Sequence, residues 1–200
     1  MSNRPTRKPS GRVDNLDLIK TLLAHGANPN VGLKTPLLAR YHNTGDGQQG
    51  SGATPLMRAA KSIDVPAMRL LLDGGADPTL KTRTGAEALM FAAGGARGKP
   101  AQEAIDAITL CLNRGANVNA VNENGQTALH LAVEQSDDVI KLLVARGARL
   151  DIKDRQGRTP LDLTRGEAPG GRGASRTREA GSREATAALL RELSGGSPAK

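Results

Sequence analysis

The 200-residue sequence contains no Trp, one Tyr, one Phe and one Cys. A single cysteine excludes an intrachain disulfide framework. With almost no aromatics, one large central core has few of the side chains that usually dominate buried surface. No apolar run approaches the ~20 residues of a membrane span. The basic opening residues lack the apolar stretch of a signal peptide. His25, His42 and His130 lie far apart, and Cys111 has no companion, so zinc-ligand spacing is absent. The Gly-rich stretches at 45–52 and 94–98 match neither a P-loop nor a dinucleotide fingerprint. No catalytic residue, metal or cofactor is expected, and the chain does not read as an enzyme.

The net charge is +8, but it is unevenly placed: residues 1–14 and 165–200 carry +3 each, and residues 15–164 only +2. The excess sits in the tails and is not an electrostatic footprint of the folded part.

What the sequence does contain is a phrase that repeats. Its cleanest statement runs Asn124-Gly125-Gln126-Thr127-Ala128-Leu129-His130-Leu131-Ala132, then Val139-Ile140-Lys141-Leu142-Leu143-Val144-Ala145-Arg146-Gly147-Ala148. A closing Gly-Ala recurs at Gly26, Gly75, Gly115 and Gly147, and an opening Thr at Thr54, Thr127 and Thr159, with Glu87 in the third slot. Three of the four intervals from closing glycine to next opener are 12 residues; the first is 28, which marks an insertion. A second insertion, of 7 residues, lies between Glu87 and Gly115. Seven residues before each closing glycine stand Ile19, Met68, Ile108 and Ile140. Four before it stand Leu22, Leu71, Cys111 and Leu143, and three before it Leu23, Leu72, Leu112 and Val144. All are apolar, and their spacing draws one helical stripe.

This phrase resembles the ankyrin repeat, a turn followed by two antiparallel helices with a period of about 33 residues. The resemblance covers roughly residues 15 to 165. It implies a mainly α fold, a solenoid of stacked helix pairs with β-turn or hairpin fingers, in which each unit buries its apolar face against its neighbours. Residues 1–14 are expected to form a disordered basic lead-in, and 15–165 about four to five repeats, the first and last incomplete. A finger insertion is expected at about 31–53, a flexible linker at 166–181 and a capping helix at 182–194. First-type helices are expected at Pro55–Lys61, Ala88–Ala93, Ala128–Gln135 and from Pro160 to Thr164. Second-type helices are expected at Asn15–Ala24, after an Asp64 N-cap, at Ala101–Asn113 and at Asp137–Ala145. Cys111 reads as a small buried hydrophobe, and the helix at Asn15 should show an uncovered apolar flank. The pattern is similar to the C-terminal part of bacterial ankyrin proteins, so either further repeats upstream or another chain covering that flank is expected.

In function the resemblance implies a protein–protein interaction module and a partner protein, with no small-molecule substrate and no membrane. The expected contact surface is the finger tips and first helices: Tyr41, His42, Arg58, Lys81, Arg83, Phe91, Asn122, Glu123, Lys153 and Arg155, with Leu131 and Leu163 at the variable first-helix position. His130 is expected to bond Thr127. The alternative, nucleic-acid association through the basic tails, is disfavoured by the lack of stacking aromatics there. A third reading makes the chain a structural cap of a longer array. A cytoplasmic location is expected.

Overall fold

The computed structural model describes residues 14–34, 51–95, 99–133, 135–164 and 180–195. Among these, nine helices and no strand are present. They are α1 (Asn15–Ala24), α2 (Pro55–Ser62), α3 (Val65–Asp73), α4 (Ala88–Gly95), α5 (Ala101–Asn113), α6 (Ala128–Ala132), α7 (Asp137–Ala145), α8 (Pro160–Thr164) and α9 (Ala180–Gly195). They stack in two rows. The inner helices α2, α4, α6 and α8 each pack on the next, as do the outer helices α1, α3, α5 and α7. Within a unit α2 pairs with α3, α4 with α5 and α6 with α7, while α9 lies against α7 and α8.

Local chemistry starts and stops these helices. Pro55 occupies the first turn of α2, where its missing N–H costs nothing, and the Thr54 hydroxyl accepts from the Met57 N–H. The Asp64 carboxylate caps α3 by accepting from the Ala67 N–H, and the Ser136 hydroxyl caps α7. Each closing Gly-Ala is a left-handed helix stop. Gly75, Gly115 and Gly147 have φ of 88°, 92° and 89°, and the following alanine N–H donates back to the carbonyl five residues earlier, that of Leu71, Cys111 and Leu143. The alanines Ala76, Ala116 and Ala148 are buried against the turn they close.

The core is a continuous seam of small and aliphatic residues. Ala60, Ala92, Ala93, Ala104, Ala107 and Ala132 are buried and let the helix axes approach. Leu56, Met68, Leu89, Ile108, Leu129, Ile140 and Leu143 fill the space between them. Cys111 is fully buried in this seam, and burial pushes its thiol up to about 12. A thiol reagent such as 5,5′-dithiobis(2-nitrobenzoate) should therefore not react with the native chain at pH 8, and should titrate one thiol once urea unfolds it. Reaction of the native chain at a free-thiol rate would contradict this packing.

The uncovered apolar flank expected at α1 is present: Leu22, in the slot of Cys111 and Leu143, is 50% exposed and Leu18 48%. Helix α1 packs on α3 but has no inner helix of its own beside it among the described residues. Helix α4 continues through Gly94 and Gly95 instead of breaking before them. Gly95 sits where any side chain would meet the Lys61 carbonyl. Helix α6 stops at Ala132, three residues short of expectation, in the unit that is one residue shorter from opener to closer than the Thr54–Gly75 unit. Helix α9 runs Ala180–Gly195, starting two residues before the expected 182. Thr186 of α9 donates a hydrogen bond to the Asp137 carboxylate at 2.7 Å, and Ala187 and Leu190 are buried.

Candidate functional site

Between each closing glycine and the next opener the chain runs out and back as a finger. Gly85, Gly125 and Gly157, with φ of 75°, 72° and 76°, form the returns. Each finger is closed by a backbone bond across its base: Thr82 N–H to Ala86, Asn122 to Gln126 and Asp154 to Arg158 carbonyl. The residue seven after the closing glycine then caps the loop with its side chain. Thr82 Oγ1 accepts from the Ala86 N–H. Asn122 Oδ1 accepts from Asn124 and Gln126, and Asp154 Oδ1 from Gln156 and Arg158. These are side-chain versions of a turn.

Neighbouring fingers are joined tip to tip. The Arg83 N–H donates to Ser51, Glu123 to Thr84 and Arg155 to Asn124, at 2.8–2.9 Å. The result is a ridge of consecutive backbone bonds, with Arg83, Glu123 and Arg155 at equivalent positions and exposed. None of these three side chains has a hydrogen-bond or ion-pair partner among the described residues.

A second tier of bonds, invisible to periodicity, locks unit to unit. Asn30 accepts from the Asp77 N–H and donates to the Gly75 carbonyl, and Asn119 does the same with Arg149 and Gly147. Each amide thus serves one donor and one acceptor at the next closing turn. On the outer row, the Arg114 guanidinium donates to the Leu72 carbonyl and pairs with Asp73. Cation and carbonyl ends suit each other at a helix C-terminus.

The opener and the residue three beyond it form a small polar lock. His130 Nδ1 lies 2.9 Å from Thr127 Oγ1 and accepts from the Thr127 N–H. An accepting Nδ1 places the proton on Nε2, which faces the Arg158 carbonyl at 3.2 Å in the next unit. Burial holds the His130 pKa below its ordinary value, opposed by that carbonyl and by Asp154. In the last unit Asp162 replaces His130 and accepts from both the Thr159 N–H and hydroxyl. In α2 the Met57 sulfur takes the place at 3.4 Å.

The third unit breaks the pattern. Glu87 stands where the others have Thr, is 3% exposed, and leaves its Oε2 without a partner among the described atoms. Its Oε1 lies 3.6 Å from the Lys81 ammonium. Burial is the dominant influence and raises the Glu87 pKa, with Lys81 opposing it. A raised folded pKa means that stability is greatest below the unfolded value of 4.5 and falls as pH rises through the folded value. Glu87→Gln should therefore raise stability at pH 7 by about 1 kcal/mol, the scale of one unsatisfied buried acceptor. It should also flatten the decline above pH 4.5, as read from urea midpoints. An unchanged or lower midpoint at pH 7 would show that the Lys81 pair outweighs the burial cost.

The expected contact residues fall into separate groups. Arg83, Glu123 and Arg155 line the ridge; Lys81 and Lys153 are exposed beside it, Lys81 held toward Glu87. Asn122 is half-buried and its side chain serves the loop. Arg58 is exposed on α2, in a groove that also includes Ile19 and Leu71. Phe91 was expected on the presenting surface but is 5% exposed. It lies with Met90, Gly94 and Leu131 around a cavity of ≈ 170 Å³ between α4 and α6, beside Glu123, Asn124 and Gln126. Leu131 and Leu163 are half-buried. Tyr41 and His42 lie outside the described residues, as do the basic tails at 1–13 and 165–179. No cluster of metal-ligating side chains occurs among the described residues.

A bonded ridge of fingers set on paired helices defines a repeat protein. Residues 51–83 match the family model described as "Ankyrin repeat", and residues 99–164 the one described as "Ankyrin repeats (3 copies)". The chain carries ankyrin repeats, and its helix pairs form an ankyrin solenoid. No curated protein matches it. Ankyrin repeats are generally protein–protein interaction modules and typically non-enzymatic. No helix among the described residues is long and apolar enough to cross a membrane.

Proposed function

We propose that this chain is a non-enzymatic interaction module that binds a partner protein through its finger ridge and inner-helix face. The observation that carries this reading is the tip-to-tip bonding that holds Arg83, Glu123 and Arg155 exposed on consecutive fingers. Such a surface is ordered before binding, so little conformational entropy is lost on association. Arginine is among the residues that most often anchor interfaces. The mixed signs of the ridge favour a partner with a matching charge order over a uniform polyanion.

The test is capture on immobilised chain from lysate, followed by an affinity measurement with the purified partner. The triple variant Arg58→Ala, Arg83→Ala, Arg155→Ala should keep its helicity by circular dichroism and bind at least tenfold more weakly. Undiminished binding by the folded variant would overturn the reading.

A further inference from the structure

We propose that the cavity between α4 and α6 receives one large apolar side chain, Leu, Met or Phe, from an extended segment of the partner protein. We also propose that this segment carries a basic residue beside the anchor and acidic residues about three positions to either side. This deepens the reading above and rests on it.

The cavity comes from a local departure from the repeat. Counted from the opener, Gly94 stands where α2 has Lys61. A Cβ at Gly94 would lie 3.6 Å from Leu131 Cβ, in ordinary contact, so the space beyond it exists because glycine has no side chain. Phe91, Met90 and Leu131 supply the apolar part of the wall; Lys61 and Gln126 also line the cavity, and the exposed Glu123 and Asn124 stand at its rim. An apolar cavity of about 150 Å³ holds a benzene ring, so ≈ 170 Å³ accepts one large side chain and little more. Desolvating a charged group there would be costly, which selects an apolar occupant.

The ridge supplies the rest of the pattern. Its exposed charges read Arg83, Glu123, Arg155, that is plus, minus, plus, on adjacent fingers. Stacked helices lie about 8–10 Å apart, and an extended chain advances about 3.3 Å per residue. A strand crossing the fingers therefore meets a new tip about every third residue. Its complement is minus, plus, minus, and the central plus falls at Glu123, on the rim of the cavity.

The experiment pans a random 12-residue phage-displayed peptide library against the full chain and measures synthetic copies of the selected peptides by fluorescence anisotropy. The selected peptides should share Leu, Met or Phe within two residues of Lys or Arg, with acidic residues flanking. Gly94→Leu fills the cavity from within and replaces glycine by a better helix former, so it should retain full helicity and weaken these peptides at least tenfold. Glu123→Lys should reverse the preferred central charge. Equal binding to Gly94→Leu would overturn the cavity; loss of the same peptides on Arg83→Ala, Arg155→Ala would then still support the ridge. Peptides without an apolar anchor would overturn it as well, as would N-acetylleucinamide binding as tightly as the peptides. Selected peptides insensitive to every variant, or no selection at all, would remove both readings.

Discussion

Replacing Asp154 by Ala is expected to destabilise the C-terminal end of the stack by about 3 kcal/mol, at the lower edge of the range for breaking a buried pair. The side chain is fully shielded from solvent. Its Oδ1 accepts from the Gln156 and Arg158 N–H groups, and its Oδ2 from Arg158 Nε and Nη2 at 2.9 and 2.7 Å. The variant loses these bonds and leaves two finger N–H groups and a largely covered guanidinium without their acceptor. The finger would lose the geometry that presents Arg155 and that sets the Arg158 carbonyl before His130. Burial alone would push the Asp154 pKa up, but the bonds from Arg158 and Gln156 outweigh it and hold the carboxyl below its usual 3.8. A depressed folded pKa gives stability that is complete above 3.8 and lost as pH falls through the folded value. Urea titrations of wild type and Asp154→Asn should therefore converge on acidification below pH 3.8 and stand furthest apart near neutrality. If Asp154→Ala cost under 1 kcal/mol at pH 7, the lock would be dispensable.

Leu143→Ala should cost about 2–5 kcal/mol, the range for a leucine truncated in a packed core, whereas Leu22→Ala should cost well under 1. Both residues stand four positions before a closing glycine, and both belong to the same helical stripe. Leu143 is fully buried in the seam, while Leu22 is half-exposed. Because each unit contacts only its neighbours, the loss at Leu143 should show first as unfolding of α7 and α9. Hydrogen exchange by segment would report this: amides of α7 and α9 should lose protection before those of α3. Equal costs at the two leucines would mean that the outer helices do not owe their stability to neighbour packing.

Much of this architecture was legible because repetition converts a weak local signal into a strong one. A single Leu-Leu pair says little, but the same pair at fixed distance from Gly26, Gly75, Gly115 and Gly147 specifies a helix, its buried face and its stop. The fully buried Cys111 followed from its slot alone, as did the Thr127–His130 bond from the resemblance. Candidate contact residues were legible only in part. Position in the unit placed Arg83, Glu123 and Arg155 at the tips, since solvent-facing loop residues follow directly from the turn. It misplaced Phe91, because a first-helix side chain turns inward or outward according to its neighbour across the stack, and Gly94 in place of a lysine opened a cavity for it. Asn30 and Asn119 went unnoticed, since their partners are backbone groups 45 or more and 28 or more residues away in the next unit.

By itself the sequence determined the unit: which residues form helices, where glycines end them, and which stripe is apolar. These are consequences of neighbours within about four residues along one chain segment. Only the tertiary structure decided which members of that stripe are covered, which fingers bond to one another, that Glu87 is buried with an unsatisfied oxygen, and that a cavity opens beside Phe91. Burial, desolvation and complementary shape depend on what the next unit brings, and no single unit contains that information.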